Sequence, residues 1–257
     1  MKTGKDIFDE SRKRPEWSSE IISSASDNHD IWLKEYRSFV LHGVLFREGS
    51  VSLIAGRPGM GKTGFALNLT RHAISTGMKV CYMSSDMSAL KLVDWLIKLG
   101  ADEGSLVNLY IDDTLYSSMS ARKMADKIHS ECNDARLIII DSIKALGLDA
   151  VQWLKGYFPH AATILLSGVG RDCEYREDQR IRIADIEGIE MLDPYLDSIL
   201  SVYREDYYRD GYDEERSNLM EVLILKGIEG RTPGIITMSI EGPFRITERI
   251  IECSDED

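Results

Sequence analysis

Val51-Ser52-Leu53-Ile54-Ala55 runs without interruption into Gly56-Arg57-Pro58-Gly59-Met60-Gly61-Lys62-Thr63, and Lys62 to Ser75 then places Phe65, Ala66, Leu69 and Ala73 on one face. Apolar strand, glycine-rich turn and amphipathic helix follow one another in the order G-x-x-x-x-G-K-[ST] requires. Small residues let successive backbone N–H groups turn toward phosphate oxygens, and the helix N-terminus adds partial positive charge. Within this loop, Gly56 to Thr63, the Lys62 ammonium is expected on the β- and γ-phosphates of ATP, and the Thr63 hydroxyl on Mg²⁺.

Outward from this point, short apolar runs alternate with amphipathic stretches, the pattern of βαβ units around a mostly parallel sheet flanked by helices, an α/β P-loop NTPase fold. Strands are expected at Lys79–Ser84, Leu106–Ile111, Leu137–Ile140, Thr163–Leu166, Ser198–Tyr203, Met220–Leu225 and Ile235–Ile240. Helices are expected at Ser88–Leu99, with Leu92, Val93, Leu96 and Ile97 inward, and at Ser120–Cys132. The strand Leu137-Ile138-Ile139-Ile140 ends on Asp141, an acid suited to Mg²⁺ beside the first loop; taken alone, such a residue equally suits a turn or helix cap.

Composition removes other classes. With 43% hydrophobic and 29% charged residues over 257 positions, the chain is globular, neither disordered nor low-complexity. No apolar run exceeds four residues, so no bilayer helix is expected, and the polar N-terminus has no secretory pattern; the expected setting is the cytoplasm. Cys81, Cys132, Cys173 and Cys253 lie 41 or more positions apart, which excludes a C-x-x-C ligand pair. The net charge of −12 weighs against nonspecific DNA binding by the whole surface. The expected organisation is a loosely ordered arm over residues 1–42 with a short helix near Ile31–Phe39, an ATPase domain over 43–250, and an acidic tail over 251–257.

Four blocks carry a family likeness: Gly49 to Asn68, Ser84-Ser85-Asp86-Met87-Ser88, Ile138 to Asp141, and Ser167 to Arg204 with Arg171, Glu174, Arg176, Asp178, Arg180, Asp185, Asp197 and Tyr203. Lys226-Gly227-Ile228-Glu229-Gly230 and Gly242-Pro243-Phe244 close it. From about Gly43 to Glu248 the sequence resembles the RecA-type ATPase domain, the C-terminal motor, of DnaB-like replicative DNA helicases. The resemblance implies a Mg·ATP-dependent enzyme of DNA replication or DNA processing that works as a homo-oligomer, with a ring as one form. Single-stranded DNA and a protein partner follow as expected ligands. It makes Lys62, Asp86 and Asp141 catalytic and brings Lys226 to a neighbouring subunit's nucleotide.

Five departures fall on the family's working parts. Asp86 stands where the family has a catalytic Glu, one methylene shorter, and Gly168 stands where a Gln senses the γ-phosphate. Ile228 replaces the arginine finger two positions after Lys226, with Arg231 a weak candidate to substitute; Glu187 replaces an Arg. Ser167 follows Asp141 by only 26 positions, shorter than the family's stretch, so the DNA-contacting loop and a long helix are expected to be lost. The basic residues Arg171, Arg176, Arg180 and Arg182 are interleaved with Asp172, Glu174, Glu177 and Asp178, as in a self-neutralising loop. The family's large N-terminal helical domain has no counterpart in the roughly 42 residues before the core, which makes a lone motor domain or its remnant the expectation. Two functions therefore stand: an ATP-driven DNA-processing oligomer, and a nucleotide-gated scaffold with little turnover.

Overall fold

The structure, a computed structural model, describes residues 46–114, 121–143, 150–208, 218–227, 234–242 and 244–248. Strand β1 (Val51–Gly56) is buried along its whole length between β5 (Ala162–Gly168) and β6 (Ser198–Tyr203), both parallel to it. Beyond β5 the parallel array continues through β4 (Leu137–Asp141) and β2 (Val80–Ser84) to β3 (Leu109–Asp112). Beyond β6 lie three antiparallel strands, β7 (Leu219–Lys226), β8 (Gly234–Glu241) and β9 (Arg245–Glu248). The sheet order is β3-β2-β4-β5-β1-β6-β7-β8-β9. The chain leaves β1 toward β2 on one side and returns from β5 across β1 to β6 on the other. Open α/β sheets present a crevice at the carboxyl ends of strands where the order reverses in this way.

Both faces of the parallel part are covered, which is why its strands read as continuous apolar runs. One face buries Ile54, Tyr82 and Ile139 against Phe65 and Leu69 of α1 (Lys62–Ser75) and Leu92 and Leu96 of α2 (Ala89–Lys98). The other buries Leu53, Met83 and Ile138 against Met124 and Ile128 of α4 (Ala121–Glu131) and Val151 and Leu154 of α5 (Ala150–Tyr157). A one-turn helix α3 (Glu103–Leu106) and the short α6 (Ile189–Leu192) complete the set among the described residues.

Most elements fall where the sequence places them, and α1 and β6 match to the residue. Three differences have physical causes. The expected strand Leu106–Ile111 begins only at Leu109, because the Asp102 carboxylate accepts the Ser105 amide at 2.8 Å and caps the short helix α3. On α2 Ile97 is 53% exposed, and the half-buried Trp95 packs on the core instead. Between Asp141 and Ser167, where a long helix is expected to be lost, the shortened stretch holds the eight-residue helix α5. The arm, the acidic tail, Ala145–Leu148, Ile228 and Arg231 lie outside the described residues. Among the described residues no helix is long and apolar enough to cross a membrane.

The last strand is tied to the helix that follows the glycine-rich loop by one buried amide. Asn68 on α1 donates from Nδ2 to the carbonyls of Gly64 (2.8 Å) and Phe244 (2.9 Å), and its Oδ1 accepts the Ile246 amide at 3.0 Å. Removing it strands a buried N–H and a carbonyl at once. Asn68→Ala is expected to lower unfolding free energy by about 3 kcal/mol. Urea titration followed by circular dichroism measures it, and a change below the error of the fit would contradict the clamp.

Candidate functional site

The loop Gly56 to Thr63 crosses from the carboxyl end of β1 into α1. Gly59 and Gly61 take φ values of +82° and +96°, a region closed to ordinary side chains, so the turn needs glycine at both. The first turn of α1 contains no acid, which leaves its partial positive charge unopposed. Pro58 and Gly59 form an exposed crown, whereas Met60 is buried and its sulfur accepts the Arg204 amide at 3.3 Å. Met60 thus anchors the loop to the core. Arg57 also serves the loop through its backbone: its guanidinium turns aside to Glu174 Oε1 (2.8 Å) and the Val169 carbonyl (2.7 Å).

Three of the candidate side chains converge below the crown. Lys62 Nζ donates to the carbonyls of Gly56 (2.8 Å) and Arg57 (3.1 Å), so the ammonium lies in the mouth of the loop. Thr63 Oγ1 donates to Asp141 Oδ2 at 2.8 Å, and Tyr82 donates to the same oxygen at 3.3 Å. Asp141 is buried, and burial is the main cause that raises its pKa, opposed chiefly by the Thr63 hydrogen bond. Ser85 connects it to Asp86: its amide donates to the Asp141 carbonyl at 2.6 Å and its hydroxyl reaches Asp86 Oδ1 at 3.2 Å. Asp86 is exposed two residues beyond β2, at the same end of the sheet. The register of β2 and β4 pairs Ser84 with Asp141, which brings the two acids together.

Gly168 pairs with Gly56 at the end of β5, so the position occupied by Gly where the resemblance puts Gln does border the loop. Lys226 does not join the cluster. It ends β7 opposite Ile199 near the start of β6, toward the amino ends of the parallel strands, and its ammonium binds the Asp193 carbonyl (2.7 Å) and carboxylate (2.9 Å). The basic loop pairs chiefly with acids outside its own interleaved set, Asp185 and, on β7, Glu221. Arg176 donates to Asp185 at 2.8 Å, Arg180 forms a fork with Glu221 at 2.7 and 2.8 Å, and Arg182 lies 3.5 Å from Asp178.

Beside the loop is a cavity of about 230 Å³ lined by Gly61, Thr63, Gly64, Leu67, Met87 and Trp95 with Phe244. Trp95 meets Phe244 edge to face at 6.2 Å, and the Arg204 guanidinium lies over the Phe244 ring at 5.7 Å. A niche with Leu67, Met87, Trp95 and Phe244 on its apolar side, beside the Lys62 loop, suits a planar heterocycle. Sequence reasoning does not pick out Trp95 as a site residue, because helical spacing assigns Leu92 and Leu96 to the core and leaves the intervening aromatic unassigned.

Residues 40–102 match the family model "DnaB-like helicase C terminal domain", a stretch that holds the loop, α1 and Asp86. The chain resembles the motor domain of DnaB-like helicases. The replicative DNA helicase DnaB of Geobacillus stearothermophilus is 27% identical to it over 226 residues, covering 72% of this chain and 49% of that protein. The chain spans about half the length of the curated relatives it matches. Among solved structures, one isolated ATPase domain superposes with a TM-score of 0.73 at 22% identity, covering 90% of this chain and 95% of that one. A DnaB-like replicative helicase studied with primase superposes at 0.71 and 19% identity, covering 95% and 69%. The fold is therefore the RecA-like ATPase fold of the DnaB-like motor.

A Cβ at Gly64 would collide with the Phe244 ring, so Gly64→Ala is expected to push the ring off α1 and cost about 1 to 3 kcal/mol, read by urea unfolding. Asp185 is held below the usual carboxylate range by the Arg176 hydrogen bond. Its contribution is present above the unfolded-state pKa of about 3.9 and is lost as pH falls through the lower folded value. Asp185→Asn should therefore destabilise at pH 7 and approach wild-type stability well below pH 4; an equal deficit at both pH values would remove the ion pair as its cause.

Proposed function

We propose that this chain binds Mg·ATP at Gly56 to Thr63 and hydrolyses it, acting as an oligomeric DnaB-like motor in DNA replication or processing. The observation that carries the reading is the 2.8 Å contact between the Thr63 hydroxyl and Asp141, one residue along α1 from Lys62, whose ammonium binds the loop carbonyls. An alcohol and a carboxylate oxygen facing a phosphate cradle are the hard donors Mg²⁺ prefers, since this ion keeps water and phosphate as its other ligands. Among the described residues no cluster of three or more His, Cys, Asp or Glu competes as a metal site. Mg²⁺ held by Thr63 and Asp141 would supply charge neutralisation at the β- and γ-phosphates.

The protein's own groups do the rest. Lys62 moves from the loop carbonyls to the phosphate oxygens, and the α1 N-terminus adds its dipole. Phe244 and Trp95 border the niche for the base. Exposed Asp86 orients the attacking water and accepts its proton, from a shorter arm than a Glu would give. Lys226, remote from its own loop, acts only across an interface to a second copy, where exchange of Asp193 for nucleotide phosphate would join oligomerisation to turnover.

A second reading rests on specific observations of its own. Gly168 has no side chain to sense the γ-phosphate, and two arginines of the basic loop, Arg176 and Arg180, are paired with Asp185 and Glu221. These favour slow turnover and weak grip on single-stranded DNA, as in a nucleotide-gated scaffold bound to a protein partner.

Steady-state Mg·ATP hydrolysis across protein concentration, with and without single-stranded DNA, separates the two. Lys62→Ala is expected to weaken ATP binding about 10-fold or more through loss of a charge-assisted contact. Asp86→Ala should retain binding and lose turnover. Wild-type turnover that rises with protein concentration and DNA establishes the motor, whereas tight binding with turnover no greater than that of Lys62→Ala establishes the scaffold. Unchanged ATP affinity in Lys62→Ala would overturn the site itself.

A further inference from the structure

Tyr82 lies in the middle of β2, is 1% exposed, and has the largest side chain among the fully buried residues of the described set. Its neighbours Cys81 and Met83 belong to the opposite core layer, so Tyr82 alone of the three faces α1, in the cluster with Phe65 and Leu69. A buried phenol needs an acceptor, and its hydroxyl finds Asp141 Oδ2 at 3.3 Å. The register explains the reach. Tyr82 pairs with Ile139 on the neighbouring strand, and Asp141 is two residues further on the same face, a diagonal that a tyrosine side chain spans.

Oδ2 accepts from Thr63 at 2.8 Å as well. A metal ion would take a lone pair of the Thr63 oxygen and leave its proton on Asp141, so Oδ2 would be held from two sides, by Thr63 and by Tyr82. Of these two donors Thr63 lies on the loop, whereas Tyr82 reaches the carboxylate from within the sheet, and the Ser85 amide fixes the Asp141 backbone at 2.6 Å. Hydrogen-bond partners behind a ligating carboxylate commonly govern metal affinity as strongly as some ligands do.

We propose that Tyr82 is a positioning residue for the divalent-cation carboxylate Asp141, acting through its phenolic hydrogen bond. This rests on the assignment of Asp141 as a Mg²⁺ group. Tyr82→Phe keeps the packed ring and removes only the hydroxyl.

The test is a Mg²⁺ titration of fluorescent ATP-analogue binding by the full chain, in wild type, Tyr82→Phe, Asp141→Asn and the double variant, with urea midpoints recorded for each. Tyr82→Phe is expected to raise the half-saturating Mg²⁺ concentration about tenfold while nucleotide affinity in EDTA is unchanged. In the Asp141→Asn background the same substitution adds nothing further, because its route has been removed. An equal penalty in both backgrounds would make Tyr82 a packing residue and overturn the proposal. So would a Mg²⁺ dependence in Tyr82→Phe that matches wild type while Asp141→Asn is impaired. Wild-type Mg²⁺ dependence in Asp141→Asn itself would overturn the metal assignment, and Tyr82's role with it.

Discussion

A hydroxyl in the first turn of a helix and a carboxylate at the end of a strand two places away in the sheet meet at 2.8 Å. That contact between Thr63 and Asp141 requires β1, β5 and β4 to run parallel and end at one level. The register does this: Ala55 pairs with Ser167, and Leu166 pairs with Asp141. A slip of one residue in either pairing would turn Asp141 to the opposite face of the sheet. The apolar alternation of Leu53/Ile54 and Ile138/Ile139 between the two core layers holds that register, so the core and the polar cluster depend on the same alignment.

The electrostatics follow the same plan. Burial raises the pKa of Asp141, and the Thr63 and Tyr82 hydrogen bonds together with Lys62 act against it. Asp86 remains exposed at the rim, linked through Ser85. The site thus separates a desolvated acid suited to a cation from a hydrated one suited to water. In the loop that follows β5, Arg176 pairs with Asp185, Arg180 with Glu221 of β7, and Glu174 with Arg57, which ties the loop to β7 and to the glycine-rich turn.

Much of this is legible in the sequence because it is local. The strand-loop-helix order at Val51 to Ser75 fixes the cradle within 25 positions, and a run of three isoleucines before Asp141 marks a buried strand with an acid at its tip. What escapes the sequence depends on pairing across the sheet. Nothing in the pattern of Val80 to Ser84 says that Tyr82 falls diagonally opposite Asp141, and nothing near Trp95 says that Phe244 lies against it. Ile97 is misplaced for the same reason: helical periodicity gives a stripe, and the neighbour that covers the stripe decides its width. Lys226 illustrates the reverse, since its residue type is legible but its distance from the cradle depends on the direction of β7.

The amide of Asn68 joins positions 176 and 178 residues apart. Contacts so distant in sequence close late, because the intervening chain must be ordered first. During synthesis the glycine-rich loop and its helix emerge long before Phe244, so the cradle exists for much of translation with one wall missing and the apolar flank of α1 open to water. A nascent chain stalled before Phe244 presents the glycine-rich loop with the Phe244 side of its neighbouring cavity missing.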